Sequence, residues 1–430
     1  MKNAIRSFID RHGLAAAAID AEKLLADFSS EMSAGLAGAA SSLAMIPSYI
    51  SLGRPVPVGK PVIVLDAGGT NLRICVVAFD AAGKPQISHF TKVSMPGIAA
   101  PVTADEFFGI LAGHIRPLIP LADDIGFCFS YAAEISPDCD GRLIRWSKEV
   151  KAPEVEGMWL GAELRKRIAP DGFKGRISII NDTVGTLLAG VSASVARRYD
   201  GYVGFILGTG TNIAAVADNA AISKIPGLPA GSMIVNAESA AFDKAPQSDI
   251  DLRYDATTVD PGHAPFEKMI SGGYLGAVGL TAMQVAAEEG LFSAPFAKNV
   301  ASWKTLENKD LDIFIENPFA EVGPFAGAAM TDDDRMAVQA VAGAVYTRAA
   351  IFSAVNMAAA ILLSGGGHNP LSPVCVNVDG STYYKTRCVE FRSRIEGALR
   401  NLLEPREVFY RLIGLDDSPV IGTAVAGLTR

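Results

Sequence analysis

Apolar residues recur along the chain at two different periods, and the alternation of those periods predicts a mixed α/β fold. From Asp20 to Leu36, Ala, Leu, Phe, Met and Leu fall at intervals of three and four between Glu22, Lys23, Asp27, Glu31 and Ser33. That stripe predicts an amphipathic helix packed on a lobe surface. After the Pro/Gly-rich stretch Gly53 to Pro61, the run Val62 to Asp66 predicts a buried strand ended by Ala-Gly-Gly, and a second apolar run, Leu72 to Phe79, follows at once. So short a Gly-rich connection predicts a hairpin, not the strand, loop and helix of a dinucleotide-binding motif. Ile125 to Phe129, Ile177 to Ile180 and Tyr202 to Leu207 predict further short strands, each with polar residues at its end. Phe266 to Glu289 and Asp332 to Ile361 are long, Ala-rich and helical in period, and Val374 to Val378 reopens a strand before a turn at Asp379-Gly-Ser. The turns after Asp66 and after Leu207 look like two versions of one device, which predicts an internally duplicated architecture.

Composition narrows the classes. The 430 residues, 49% hydrophobic and 20% charged, suffice for two lobes with extensive cores. A net charge of -8 leaves no basic surplus to neutralise a phosphate backbone, so nucleic-acid binding is excluded as a first reading. Cys75, Cys128, Cys139, Cys375 and Cys388 are far apart and form no CxxC pair, which predicts small core thiols in a reducing compartment, without structural zinc. The first residues mix charges among apolar positions and carry no secretory pattern. The apolar segment Ala349 to Leu363 is too short to span a bilayer, so a cytoplasmic protein with no membrane partner is expected.

Several segments carry the residue types of phosphoryl-transfer chemistry. In Asp66-Ala-Gly-Gly-Thr-Asn-Leu-Arg73, Gly68 and Gly69 let backbone amides approach an anion; Thr70 and Asn71 add donors, Arg73 adds charge, and Asp66 can reach a metal ion through water. Alternatively, the glycines serve only a tight hairpin with positive φ. Leu207-Gly208-Thr209-Gly210-Thr-Asn212 repeats the arrangement. Two such turns predict a triphosphate clasped from both sides of a cleft. Asp182, where the strand Ile177 to Ile180 ends, is placed to accept a proton from an alcohol as its bond to phosphorus forms. Ser130, Lys148, Asn181, Asn236-Ala-Glu238 and Glu267 supply hydroxyls, amides and carboxylates beside aromatic residues, the mixture that a ring of sugar hydroxyls requires.

Taken in order, these segments resemble the hexokinase family over nearly the whole chain. Asp66 to Arg73 resembles its first phosphate motif, and Phe127-Cys-Phe-Ser130 with Trp146-Ser147-Lys148 its sugar-binding segment. Asn181-Asp182-Thr-Val-Gly-Thr is similar to the segment with its catalytic aspartate, and Gly208-Thr-Gly-Thr-Asn212 to its second phosphate motif. Glu238 and Glu267 fall where it has two sugar-binding glutamates, and Val378-Asp-Gly380-Ser381-Thr-Tyr-Tyr-Lys385 resembles its adenosine-side turn. The resemblance implies a two-lobed actin-like ATPase (ribonuclease H-like) fold with a cleft between a small and a large domain. Expected boundaries are an amino-terminal helical segment at 1–57, a small domain at 58–182, a large domain at 183–419 and a returning helix at 420–430. It also implies ATP and Mg²⁺ as cofactors, a hexose as partner with glucose foremost, transfer to the 6-hydroxyl as the first step of glycolysis, and a monomer or homodimer. Asp182 would be the base. Ser130, Ser147, Lys148, Asn181, Asp182, Asn212, Glu238 and Glu267 would hold the sugar, and the two phosphate turns with Gly380 and Ser381 the nucleotide. Tyr131-Ala-Ala stands where the family usually has Phe-Pro, Ser147 where it has Thr, and no Trp neighbours Glu238. These departures leave the preferred hexose open. A sugar-sensing protein with weak catalysis is the alternative, against which the intact Asp182 and both phosphate turns weigh.

Overall fold

The computed structural model describes residues 2–146, 150–193 and 197–430. Strand β1 (Ile46–Pro47) precedes β2 (Val62–Ala67), β3 (Asn71–Phe79), β4 (Pro85–Ser94), β5 (Ile125–Phe129), a small pair β6 (Ala133–Ile135) and β7 (Gly141–Leu143), and β8 (Ile177–Ile180). Then come β9 (Gly201–Leu207), β10 (Thr211–Asp218), β11 (Ser232–Asn236), β12 (Val374–Asp379) and β13 (Tyr410–Ile413). One sheet has the order β4-β3-β2-β5-β8 and the other β1-β11-β10-β9-β12-β13. In each, a central strand (β2 or β9) pairs antiparallel with the strand that follows it and parallel with a later one. Apart from β1 the two sheets therefore share one topology, the duplication that the paired turns predicted.

The central strands are buried on both faces and read as continuous apolar runs for that reason. Helix Ala21–Ala37, capped at Asp20 and ended by Gly38 at φ 73, buries Leu24, Leu25, Phe28 and Met32 in the core of the larger lobe. Helix Asp332–Leu363 forms the spine of that core. It opens with a Thr331/Asp334 capping box. Its length of 32 residues corrects the shorter segment read from hydropathy, and 83% of its most apolar window is buried inside the protein. The single helix expected from Phe266 to Glu289 is two, Pro265–Ile270 and Gly272–Glu288, because Ser271 turns to extended φ/ψ (−92°, 154°) between them.

Between the sheets lie two crossed helices. Helix Asp182–Ser192 packs on the larger sheet, where Gly204 lets it approach so closely that a Cβ there would come within 2.4 Å of the Leu187 amide. Helix Ser418–Thr429 packs on β2 and β5 of the smaller sheet over Gly126. The helices touch at Gly185 and Gly422, and a Cβ on Gly422 would come within 1.7 Å of the Gly185 carbonyl oxygen. Buried Asn377, on β12, donates to the Thr186 carbonyl at 2.7 Å and the Ser418 hydroxyl at 3.0 Å, tying both helices to the larger sheet.

Candidate active site

The C-terminal ends of β2, β5, β8, β9 and β12 converge, and each brings a functional group with it. At the first hairpin, Asp66 lies opposite Arg73 in register. Gly68 adopts no positive φ, and a Cβ there would meet nothing closer than the Asn71 carbonyl at 3.5 Å. Neither turn geometry nor internal packing requires glycine at that position. The alternative in which positive φ requires the glycine therefore does not apply at Gly68. Thr70 and Asn71 are exposed beside it, linked by a 2.9 Å hydrogen bond from the Asn71 amide to the Thr70 hydroxyl.

The second turn is held from behind. Gly272 and Gly273, at the start of their helix, donate to the carbonyls of Gly208 (2.8 Å) and Thr209 (3.0 Å), and the Thr382 hydroxyl also donates to Gly208 (2.8 Å). Because a trans peptide points its C=O and N–H in opposite directions, the next amides, of Thr209 and Gly210, face the other way. Gly210 lies close to the Glu267 carboxylate, which a Cβ there would meet at 2.5 Å and displace. Gly380 adopts φ 114 and lies against Leu207, which sets Ser381 beside the second turn.

Asp182 begins its helix after Asn181, whose side chain caps the Thr183 amide at 2.8 Å. Its negative charge acts on three groups at once: it helps to raise the pKa of Asp66, of Cys128 and of Asp379. Asp182 is therefore near both the first turn and the strand end that leads to Gly380. Asp66 is buried and bonded to Arg73 at 2.5 Å, yet burial and then the Asp182 charge hold its carboxyl above the usual range against that partner. Arg73 also reaches Asp417 at 3.1 Å. Arg73, expected to bring charge to a phosphate, pairs here with Asp66 and Asp417 and fixes the Asp66 carboxylate.

The sugar-type residues gather on the other side. The Asn212 amide donates to Asn236 (2.8 Å) and lies 3.4 Å from Glu238 Oε1, which also accepts from Asn236 at 2.7 Å. Glu238 sits in the left-handed region, φ 56 and ψ 48, the sort of backbone strain that clusters at working sites. Glu267 Oε2 accepts the Thr211 amide at 2.8 Å, next to Asn212. Asn181 and Asn236 line one small cavity with Ser48, Phe129 and Tyr131, so the chain on either side of Ser130 and the end of β11 border the same space. Ser147 and Lys148 lie outside the described residues. Sequence reasoning missed Asp379 and Asp417. The first stood inside a quoted motif, whereas Asp417 had no local signal because a remote segment brings it in.

Two family models, both described as Hexokinase, match residues 8–192 and 202–429. The chain belongs to the hexokinase family. It is accordingly a kinase, with a hexose as acceptor. Hexokinase-2 of Candida albicans is 29% identical over 460 residues, covering 96% of this chain and 90% of that one. Hexokinase-1 of Oryza sativa subsp. japonica is 30% identical over 432 residues, covering 91% of this chain and 84% of its own. A hexokinase from Schistosoma mansoni complexed with glucose superposes with a TM-score of 0.81 at 22% identity, covering 100% of this chain and 99% of that one. The two-lobed actin-like ATPase fold is thus shared by this hexokinase-family chain.

Proposed function

We propose that the protein transfers the γ-phosphoryl group of ATP to the 6-hydroxyl of glucose, giving glucose 6-phosphate and ADP as the first step of glycolysis in the cytoplasm. The observation that carries this reading is the position of Asp182 at the start of its helix, near enough to Asp66 and Asp379 for its charge to act on both. In this reading Asn181, Asn212, Glu238 and Glu267 hold the sugar ring, Ser130 closes on it from the smaller lobe, and Asp182 accepts the 6-hydroxyl proton. The amides of the two turns face the phosphates, with Gly380 and Ser381 on the nucleoside side. Positioning and charge, with little covalent work by the protein, supply the rate.

Among the described residues no group of three His, Cys, Asp or Glu could hold a metal ion directly. Asp66, Asp182 and Asp379 are nonetheless a concentration of negative charge around Arg73, which fits a divalent cation arriving on the nucleotide and reaching Asp66 through water. Mg²⁺ bound in this way would offset charge on the phosphate oxygens. The cytoplasmic setting is supported by five free, buried cysteines.

A coupled ADP-release assay with a panel of hexoses tests donor and acceptor together. In the same assay Asp182→Ala is expected to lose turnover by about 10²-fold or more while calorimetry still detects hexose binding. Near-normal turnover in that variant would remove Asp182 from the mechanism.

A further inference from the structure

The two phosphate turns are built alike, but only the second has a helix start behind it. Behind the first stands a side chain. The Tyr131 hydroxyl lies 2.8 Å from the Gly68 carbonyl oxygen and 3.3 Å from that of Gly69, and a phenol has one proton to share between them. Burial raises the pKa of that hydroxyl, which keeps it a donor. The ring itself is only 3% exposed and is fixed by Phe129 and Trp146, each with its centroid 4.8 Å away.

The consequence follows from peptide geometry. With the carbonyls of Gly68 and Gly69 drawn towards Tyr131, the amides of Gly69 and Thr70 point away from it, since each trans peptide opposes its C=O and N–H. Among the described residues those two amides donate to no backbone carbonyl. Successive amides aimed at one side of a turn form an anion-binding concavity. In the second turn the Gly272 and Gly273 amides hold the Gly208 and Thr209 carbonyls in the same way. The Ser130 amide also donates to the Ala67 carbonyl at 3.1 Å, so the loop that carries Tyr131 is joined to the turn at two successive residues.

We propose that Tyr131 is a positioning residue for the donor phosphates: its hydroxyl orients the first turn so that the Gly69 and Thr70 amides face the nucleotide. It acts through the turn, linking the loop that carries Ser130 to the amides that face the nucleotide.

This rests on the ATP-dependent reading above, and the test separates the two. Steady-state kinetics and melting of the full chain are compared for wild type, Tyr131→Phe and Tyr131→Leu, with glucose and MgATP. Tyr131→Phe keeps the ring and loses only the donor. It is expected to raise the MgATP KM by about three- to tenfold, the scale of one net hydrogen bond, while the glucose KM and the melting temperature hold to within experimental error. Tyr131→Leu is expected to show the same nucleotide defect plus a lower melting temperature. If Tyr131→Phe matches wild type in both KM values while Tyr131→Leu does not, the residue serves packing alone and the proposal is wrong. It is equally overturned if Tyr131→Phe weakens glucose and MgATP together. A wild-type protein with no ATP-dependent turnover would instead sink the function proposed above, and this inference with it.

Discussion

At the scale of single residues, the site concentrates unfavourable charge. Burial is the largest influence on Asp379, followed among the charges that raise it by Asp182 and Asp66, while the Gly380 amide and Arg73 offset part of their effect. Its folded carboxyl therefore ionises above the 3.8 of the unfolded chain. The folded state holds a proton that the unfolded state has lost, so the contribution of Asp379 to stability is greatest below 3.8 and falls as pH rises through the folded pKa. Asp379→Asn, which removes that charge, is expected to raise the melting temperature at pH 8, with a gain on the order of 1 kcal/mol that shrinks as the pH is lowered. A variant equally or less stable than wild type at pH 8 would show that Asp379 is well accommodated when ionised. Arg73 illustrates the same economy. A guanidinium held between Asp66 and Asp417 keeps a buried carboxylate in place.

Among the elements, the crossed helices between the sheets hold the arrangement together. Helix Asp182–Ser192 presents Asp182 at its first position, and its direction is set by contact with helix Ser418–Thr429 at Gly185 and Gly422. The approach leaves no room for a methyl group. Gly422→Ala is expected to force the helices apart and destabilise the protein by about 1–3 kcal/mol, read as a lower melting temperature. It should also reduce turnover, because Asp182 moves with its helix. An unchanged melting temperature would mean that the crossing yields readily. The helix positions were legible from period and composition, but the break at Ser271 was not. That break lets Gly272 and Gly273 hold the second turn, a requirement set by residues 64 positions earlier in the chain and invisible in local pattern.

For the whole molecule, the sheets meet across a hollow whose walls come from both lobes. Trp146 packs against Phe129 and Tyr131, which line a small cavity together with Asn181 and Asn236. Binding of a hexose between the walls is expected to change the fluorescence of Trp146, a change absent from Trp146→Phe, and to raise the melting temperature by ligand linkage. Titration with glucose that moves neither signal would mean that the sugar does not bind there. The amino acid order alone determined the strands, the paired glycine turns, the family and most of the groups now found together, because each is a pattern over a few neighbouring residues. Tertiary structure alone decided which carboxylate Arg73 would face, that Asp417 would reach it from 344 residues away, and that the Tyr131 hydroxyl would meet the Gly68 carbonyl. Those contacts depend on how two lobes and a returning helix pack, and no local period records the distance between residues that only folding brings together.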